Sequence, residues 1–217
     1  MDTTTPRPSL PTLNSPAPKF TANTTHGPKS LDDFKGKWLV LFSHPADFTP
    51  VCTTELVAFA RKHEDFKKHN CELLGLSIDS VFSHIAWVRN IEENFAGVEI
   101  KYPMIADLDM KVAHAYGMVH PGASETATVR CVFVIDDKQV VRAMIYYPMT
   151  NGRSVEEILR LVTSLQTADQ NACATPEGWT PGKPVVVPPP KTIAAAEARM
   201  KEAGIERKDW YLSTRTL

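Results

Sequence analysis

The chain has 217 residues, 43% hydrophobic and 23% charged, with 24 basic against 25 acidic side chains and a formal net charge of -1. This composition supports a buried core in one large domain, or in one domain with an appendage, and the near-neutral balance gives no electrostatic case for nucleic acid or an anionic membrane as partner. No apolar run approaches the ~18–20 residues of a membrane span, and Met1 to Pro8 lacks the apolar centre of a signal peptide, so a cytoplasmic location with reduced thiols is expected.

Residues 1–17 are rich in Thr, Pro and Ser and are expected to form a flexible arm. Phe20 to Thr24 reads as a short strand or hairpin arm. Lys29 to Lys37 reads as a loop with one helical turn, closed by Gly36. Trp38 to Phe42 is an apolar, strand-like run. Leu56, Phe59, Ala60, His63 and Phe66 then recur at helical spacing, so a helix is expected over roughly 52–69. Cys71 to Ile78 is a second apolar strand, and Asp79-Ser80 after it is a helix-start signal. Ile85, Val88, Ile91 and Phe95 mark a helix over 81–95, and Met104 to Asp107 is a short strand. Met110 to Tyr116 is a short helix ended by Gly117. Val129 to Ile135 and Val140 to Tyr147 are joined by a short connection, which predicts an antiparallel hairpin. Ile158, Leu161, Val162 and Leu165 lie on one face of a helix over 155–167. The order β-α-β-α-β-α-β-β-α predicts an α/β fold, a mixed sheet with helices on both faces.

Composition changes near Asn171. Six of the 17 prolines lie between Asn171 and Pro190, so residues 172–190 cannot be helical, and Val185 to Val187 is at best an edge strand. Lys191 to Ala203 reads as an alanine-rich helix ending at Gly204, followed by a partly aromatic tail, Trp210-Tyr211-Leu212. A segment of ~45 residues buries little core alone. The expected organisation is an arm at 1–17, a main domain at 18–170 and a small C-terminal domain at 171–217.

The stretch that carries chemistry is Phe42-Ser43-His44-Pro45-Ala46-Asp47-Phe48-Thr49-Pro50-Val51-Cys52-Thr53-Thr54-Glu55. It is a strand end, a turn and a helix start. Thr49 suits the N-cap and Pro50 the first helical position. Cys52 then falls in the first turn, among amide N–H groups with no acceptor inside the helix. Those groups and the helix dipole favour an anion. With a cation nearby they favour a thiolate, which is the nucleophilic form of cysteine. Most free cysteines are small buried hydrophobes, but the cap, proline and thiol at this spacing outweigh that reading. No two of Cys52, Cys71, Cys131 and Cys173 form a C-x-x-C pair, and the seven histidines show no metal-ligand spacing, so neither a metal nor any other cofactor is expected.

Pro45, Thr49 and Cys52, in the order P-x-x-x-T-x-x-C, together with Pro50-Val51-Cys52-Thr53-Thr54-Glu55, resemble the peroxidatic motif of the peroxiredoxins (AhpC/TSA family), and within it the one-cysteine, peroxiredoxin-6-like branch. The resemblance runs from about Pro18 to the end of the chain. It implies a thioredoxin-like fold, a peroxidase domain over 18–170 and a C-terminal dimerisation domain over 171–217. It further implies a homodimer, with a ring oligomer as the larger assembly some members form. Reduction of hydrogen peroxide and organic hydroperoxides then proceeds through a sulfenic acid at Cys52, with Thr49 and Arg130 as catalytic partners. By spacing alone Arg130 is a strand-end charge facing solvent. The resemblance makes it the active-site arginine, in Thr128-Val129-Arg130-Cys131. The resemblance also places Pro45, His44, Glu55 and Arg153 at the substrate pocket. Read as residues alone, Pro45 is a turn proline, His44 a surface loop histidine and Arg153 a helix-start residue in solvent.

The C-terminal Val-Cys-Pro motif of two-cysteine members is absent, so a one-cysteine cycle with an external thiol reductant is expected. A two-cysteine cycle with Cys173 as resolver stays open, as does a peroxide sensor or chaperone-like assembly with slow turnover. No G-x-S-x-G occurs, so the phospholipase activity of mammalian members of the branch is not supported. The sequence Cys52-Thr53-Thr54-Glu55 lacks the second cysteine that a thiol-disulfide oxidoreductase needs.

Overall fold

Six consecutive residues, Trp38–Ser43, are all buried, as a strand must be when both faces of its sheet are covered. The computed structural model describes residues 10–217. The chain divides into two compact units, the first ending at Val155 and the second spanning Glu156–Leu217. The first unit holds strands β1 (Thr21–Thr24), β2 (Gly27–Ser30), β3 (Trp38–Ser43), β4 (Cys71–Ser77), β5 (Met104–Ala106), β6 (Arg130–Ile135) and β7 (Val141–Tyr147), with helices α1 (Pro50–Lys68), α2 (Val81–Asn94) and α3 (Lys111–Ala115). The strand order is β2-β1-β5-β4-β3-β6-β7. β3, β4 and β5 run parallel, while β6 pairs antiparallel with both β3 and β7. This is the mixed sheet of the expected thioredoxin-like fold, and β6–β7 is the expected hairpin.

Alternation along β3 assigns a helix to each face of the sheet. Leu39 and Leu41 join a core with Leu74, Phe133, Tyr116 and the α3 residues Val112 and Ala113. Phe42 points the other way and stacks on Phe59 of α1, ring centroids 4.0 Å apart. Along α1 the buried residues Cys52, Leu56, Phe59, His63 and Phe66 fall on one stripe. The same stripe that seats α1 on the sheet therefore carries Cys52 at its N-terminal end. α2 starts at Ser80, whose side chain accepts from the Ser83 N–H at 3.2 Å, and buries His84, Trp87 and Ile91.

Both ends of the chain carry structure that composition does not report. The arm expected over 1–17 lies partly outside the described residues, but its last part is tied down. The Asn14 and Ala17 amides donate to the Val141 and Gln139 carbonyls, and the Val141 amide donates to Ser15. A polar Thr/Pro/Ser composition gives no sign of this, because the bonds use backbone only and extend the free edge of β7.

The second unit begins earlier than residue 171. Helix α4 runs Val155–Asn171 and interacts with the segment after it: Arg160 donates to the Trp179 carbonyl at 2.9 Å, and the Ser164 and Thr175 hydroxyls lie 2.6 Å apart. β8 (Val185–Val186) pairs with β10 (Leu212–Arg215), which pairs in turn with β9 (Glu206–Asp209). Trp210 and Tyr211 of the aromatic tail form the turn between β9 and β10, and Leu212 opens β10. Helix α5 covers only Ile193–Arg199 and buries no residue. Among the described residues no helix is long and apolar enough to cross a membrane.

Because Phe59 holds α1 against β3, Phe59→Ala is expected to lower unfolding free energy by about 3–5 kcal/mol in urea titration. Phe82→Ala removes a ring that is 79% exposed, and should change it by no more than about 0.5 kcal/mol.

Candidate active site

The antiparallel step between β3 and β6 builds the site. The last paired residues are Phe42 and Val132. Arg130 lies two residues further along β6, level with the loop that leaves β3 and enters α1. A parallel neighbour would place the start of its strand at the opposite end of β3.

Thr49 is the N-cap residue of α1 in an extended conformation, but its side chain makes no cap hydrogen bond. Its hydroxyl donates instead to the Ala46 carbonyl at 2.9 Å. With that proton committed, the Thr49 oxygen can only accept from a further partner. The first-turn N–H groups of Val51 and Cys52 have no acceptor within the helix, and the helix dipole adds positive potential there.

Cys52 is fully buried. Arg130 Nη1 lies 3.3 Å from its Sγ and 2.8 Å from Glu55 Oε2. Arg130 Nε donates to the Met149 carbonyl at 2.9 Å, which fixes the plane of the guanidinium. Arg153 binds Glu55 bidentately, Nε to Oε1 at 2.8 Å and Nη2 to Oε2 at 2.7 Å. Its backbone N–H also donates to Oε1, and its Nη1 donates to the Cys131 carbonyl. Burial alone would raise the Glu55 carboxyl; the hydrogen bonds and charge of Arg153, with the charge of Arg130, outweigh it and hold that carboxyl below its ordinary value. Two buried cations therefore share one carboxylate. The remaining positive charge faces Cys52, and a thiolate there neutralises the cluster.

The loop before α1 is held by a second buried group. Asp47 accepts from His44 Nε2 at 2.9 Å on Oδ1 and from His84 Nδ1 at 2.8 Å on Oδ2. Burial would raise the Asp47 carboxyl, but the two histidines outweigh it and hold it well below its ordinary value. Burial pushes His44 down despite the Asp47 bond, so its ring is neutral at pH 7, with the proton on Nε2. His44 Nδ1 is buried and has no hydrogen-bond partner. Among the described residues, His44, Asp47 and His84 are the group whose ligand atoms come close enough to hold a metal ion. Each Asp47 oxygen and both His84 nitrogens are already satisfied within the protein, so the donor set fits a hydrogen-bond relay rather than a metal centre.

Of the residues singled out from sequence, Cys52, Glu55, Arg130 and Arg153 come together in one contact network, and Thr49 stands at the N-cap position of the same helix. Pro45 is half-buried in the loop. His44 is buried rather than on the surface, and its hydrogen-bonding nitrogen faces Asp47. Arg153 is buried too, so it is not a solvent-facing helix start. Asp47, His84 and the Met149 carbonyl were not foreseen. His84 is a lone histidine on a helical stripe, and its only sequence cue is its i,i+3 spacing from Trp87. Cys71 and Cys131 are buried; burial raises both thiols, that of Cys131 to about 11, so both stay protonated. Cys173 is half-buried in the second unit.

Residues 13–144 match the AhpC/TSA family, and residues 164–203 match the C-terminal domain of 1-Cys peroxiredoxin. The chain is 59% identical over 215 residues to a peroxiredoxin of Aquifex aeolicus, covering 94% of this chain and 96% of that one. It is 51% identical over 211 residues to a peroxiredoxin of Methanosarcina mazei, again covering 94% and 96%. Among solved structures it is similar to a yeast mitochondrial 1-Cys peroxiredoxin studied for thiol resolving via glutathione/thioredoxin systems, with 38% identity, a TM-score of 0.84, and 96% and 100% of the two chains covered. It is also similar to a mutant of the peroxiredoxin 6 of Arenicola marina, with 37% identity, a TM-score of 0.85, and 94% and 97% covered.

Glu55→Gln leaves two buried guanidinium groups without their carboxylate and is expected to destabilise the protein by about 3–5 kcal/mol at neutral pH. The folded-state carboxyl lies below its unfolded value, so its contribution is present above that value and is lost as pH falls through the folded one. The gap between wild type and Glu55→Gln in urea titrations should therefore narrow below about pH 4.3.

Proposed function

Because the chain belongs to the AhpC/TSA family, and is by that membership a peroxiredoxin and a thiol-dependent peroxidase, we propose that Cys52 is its peroxidatic cysteine and that an external thiol closes its cycle. The observation that carries this reading is the Arg130 guanidinium, 3.3 Å from the Cys52 sulfur and anchored by Glu55 and Met149. The substrates are hydrogen peroxide and organic hydroperoxides. The Cys52 thiolate attacks one peroxide oxygen in line with the O–O bond. An S–O bond forms, the O–O bond breaks, and sulfur loses two electrons. The other oxygen leaves as hydroxide or alkoxide and takes a proton to become water or an alcohol. Thr49 accepts a hydrogen bond from the peroxide O–H, since its own proton is on the Ala46 carbonyl. Arg130 and the first-turn N–H groups of α1 stabilise the charge that moves from sulfur to the leaving oxygen.

The product is a Cys52 sulfenic acid. One external thiol displaces water from it to form a mixed disulfide, and a second thiol releases the Cys52 thiol. Glu55 and Arg153 orient Arg130, while Pro45 and His44 shape the loop that closes the pocket. We further propose that the protein is a homodimer joined through its C-terminal unit. Exposed Ile193, Met200 and Trp210 border an apolar groove of about 490 Å³ there, and burying such a patch against a second copy is the reading that supports assembly. Sedimentation of the wild type at twice the mass of one chain, and of Trp210→Glu at the mass of one, is the expected result; a monomeric wild type would refute it.

Cys52→Ser is expected to abolish peroxide reduction while near-UV circular dichroism is unchanged. Arg130→Lys should slow sulfenic-acid formation by about a hundredfold, because a flexible point charge replaces a rigid fork. Intact mass after one equivalent of peroxide, without reductant, should rise by one oxygen, mapped to Cys52. A loss of two hydrogens with Cys52 linked to Cys173 would replace the one-cysteine cycle by a two-cysteine one. An unmodified Cys52 would remove it from the reaction.

A further inference from the structure

The loop that precedes Thr49 holds an unfavourable conformation. Phe48 has φ 55°, in the left-handed region that a large side chain rarely adopts. Its ring is 57% exposed, so packing of that ring supplies little of the restraint. Such a residue persists only where its surroundings over-determine it. The neighbour on its N-terminal side is the most heavily anchored residue of the loop. Asp47 donates its backbone N–H to Asp79 Oδ2 at 3.0 Å, and its carboxylate takes one hydrogen bond from His44 and one from His84. Asp79 is itself fixed by the Ser77 hydroxyl at 2.6 Å.

His84 belongs to α2, which contributes no residue to the Cys52 cluster. Its Nδ1 faces the Asp47 carboxylate and its Nε2 faces the Ile105 carbonyl at 3.0 Å. Both are acceptors, so each ring nitrogen must carry a hydrogen. His84 is then a buried cation paired with a buried carboxylate, its ring fixed from the other side by β5. One turn along α2, Trp87 lies 5.1 Å from the His44 ring and 6.2 Å from Phe48, between centroids. α2 thus holds the loop at His44 and Asp47 and borders it at Phe48.

We infer that His84, acting through Asp47, is a positioning residue for peroxide attack: the pair clamps the 44–49 loop in the strained conformation that sets Thr49 at the head of the Cys52 helix. The clamp does not touch Cys52, whose charge partner is Arg130. Loss of the clamp should impair the peroxide step, which needs Thr49 in place, and should spare the reactivity of the thiolate toward reagents that do not need Thr49. This inference rests on the peroxidase reading and deepens it.

The experiment compares full-length wild type, His84→Gln and His84→Asn. Two second-order rates are measured at Cys52: oxidation by hydrogen peroxide and alkylation by iodoacetamide. An asparagine amide nitrogen sits near the Nδ1 position and can still donate to Asp47, whereas a glutamine amide reaches toward the Nε2 position. His84→Gln is expected to lower the peroxide rate by about tenfold or more, with His84→Asn recovering most of it and alkylation nearly constant in both. A peroxide rate in folded His84→Gln equal to wild type overturns the inference. So does a parallel fall in both rates, which marks general loosening. A wild type that does not react with peroxide defeats the peroxidase reading itself, and the inference with it. Should His84→Gln not fold, imidazole ¹⁵N spectra of the wild type decide: a protonated Nδ1 on His84 at pH 7 supports the clamp, and a bare Nδ1 overturns it.

Discussion

One carboxylate organises the reactive end of this protein. Glu55 is buried between Arg130 and Arg153 and accepts from both. Taking these charges out of water is costly, and their mutual attraction offsets the cost only when geometry is good and the remaining donors are satisfied. That condition is met here in detail. Arg153 spends Nε, Nη1 and Nη2 on Glu55 and the Cys131 carbonyl, and Arg130 spends Nε on the Met149 carbonyl. What is left over is directed, because Arg130 Nη1 can bind Glu55 and still face the Cys52 sulfur. The excess of one positive charge is a property of the cluster as a whole. A lysine in place of either arginine would keep the charge and lose the fork that aims it.

Topology explains why these groups meet. Cys52 and Glu55 lie at i and i+3 of α1, on the side of the helix that faces the sheet. Arg130 starts β6, which runs antiparallel to β3, so the head of one strand meets the tail of the other. Arg153 lies just beyond β7, the next antiparallel strand. Cys52 and Arg130, 78 positions apart, and Glu55 and Arg153, 98 apart, are thus brought to one end of the sheet by two reversals of direction.

Much of this was legible in the sequence, and the failures have physical causes. Strands such as β3 and β6 are apolar on both faces and α1 carries a helical stripe, so tertiary burial and local pattern agree there; along α2 the spacing Ile85, Val88, Ile91, Phe95 misses the buried face, which is His84, Trp87 and Ile91, and leaves Ile85 exposed. The first turn of α1 was legible because a cap position, a proline and a cysteine each have a local meaning. Thr49 illustrates the limit: the position was right, but the hydroxyl donates to the Ala46 carbonyl and does not accept from a first-turn N–H, and spacing does not report which of the two bonds forms. Asn14 to Ala17 pair through backbone groups, which side-chain composition does not report. In the small β8–β10–β9 sheet the Val185–Val186 pair was legible as an edge strand, whereas Glu206–Asp209 is a run of charged residues of low strand propensity. Asp47 and His84 are 37 residues apart, and a lone histidine beside a tryptophan on a helix is more often a packed residue than a partner.

The two buried ionic groups at this end of the molecule do different physical work. The Glu55 cluster lies beside the sulfur and sets charge: its Arg130 Nη1 is 3.3 Å from Cys52 Sγ, and its members come from α1, β6 and the segment after β7. The Asp47 group belongs to the loop and sets shape: it adjoins a left-handed Phe48 next to Thr49, the residue assigned to the peroxide in the proposed reaction, and the partners of Asp47 outside the loop are His84 of α2 and Asp79 just after β4. A thiolate needs the first, and an in-line attack on an O–O bond needs both, because electrostatic stabilisation of a leaving oxygen has value only when that oxygen is held where the charge develops. Separating the two duties onto opposite neighbours of β3 lets the loop be strained without disturbing the charge balance. That separation follows from a strand with a parallel partner on one side and an antiparallel partner on the other.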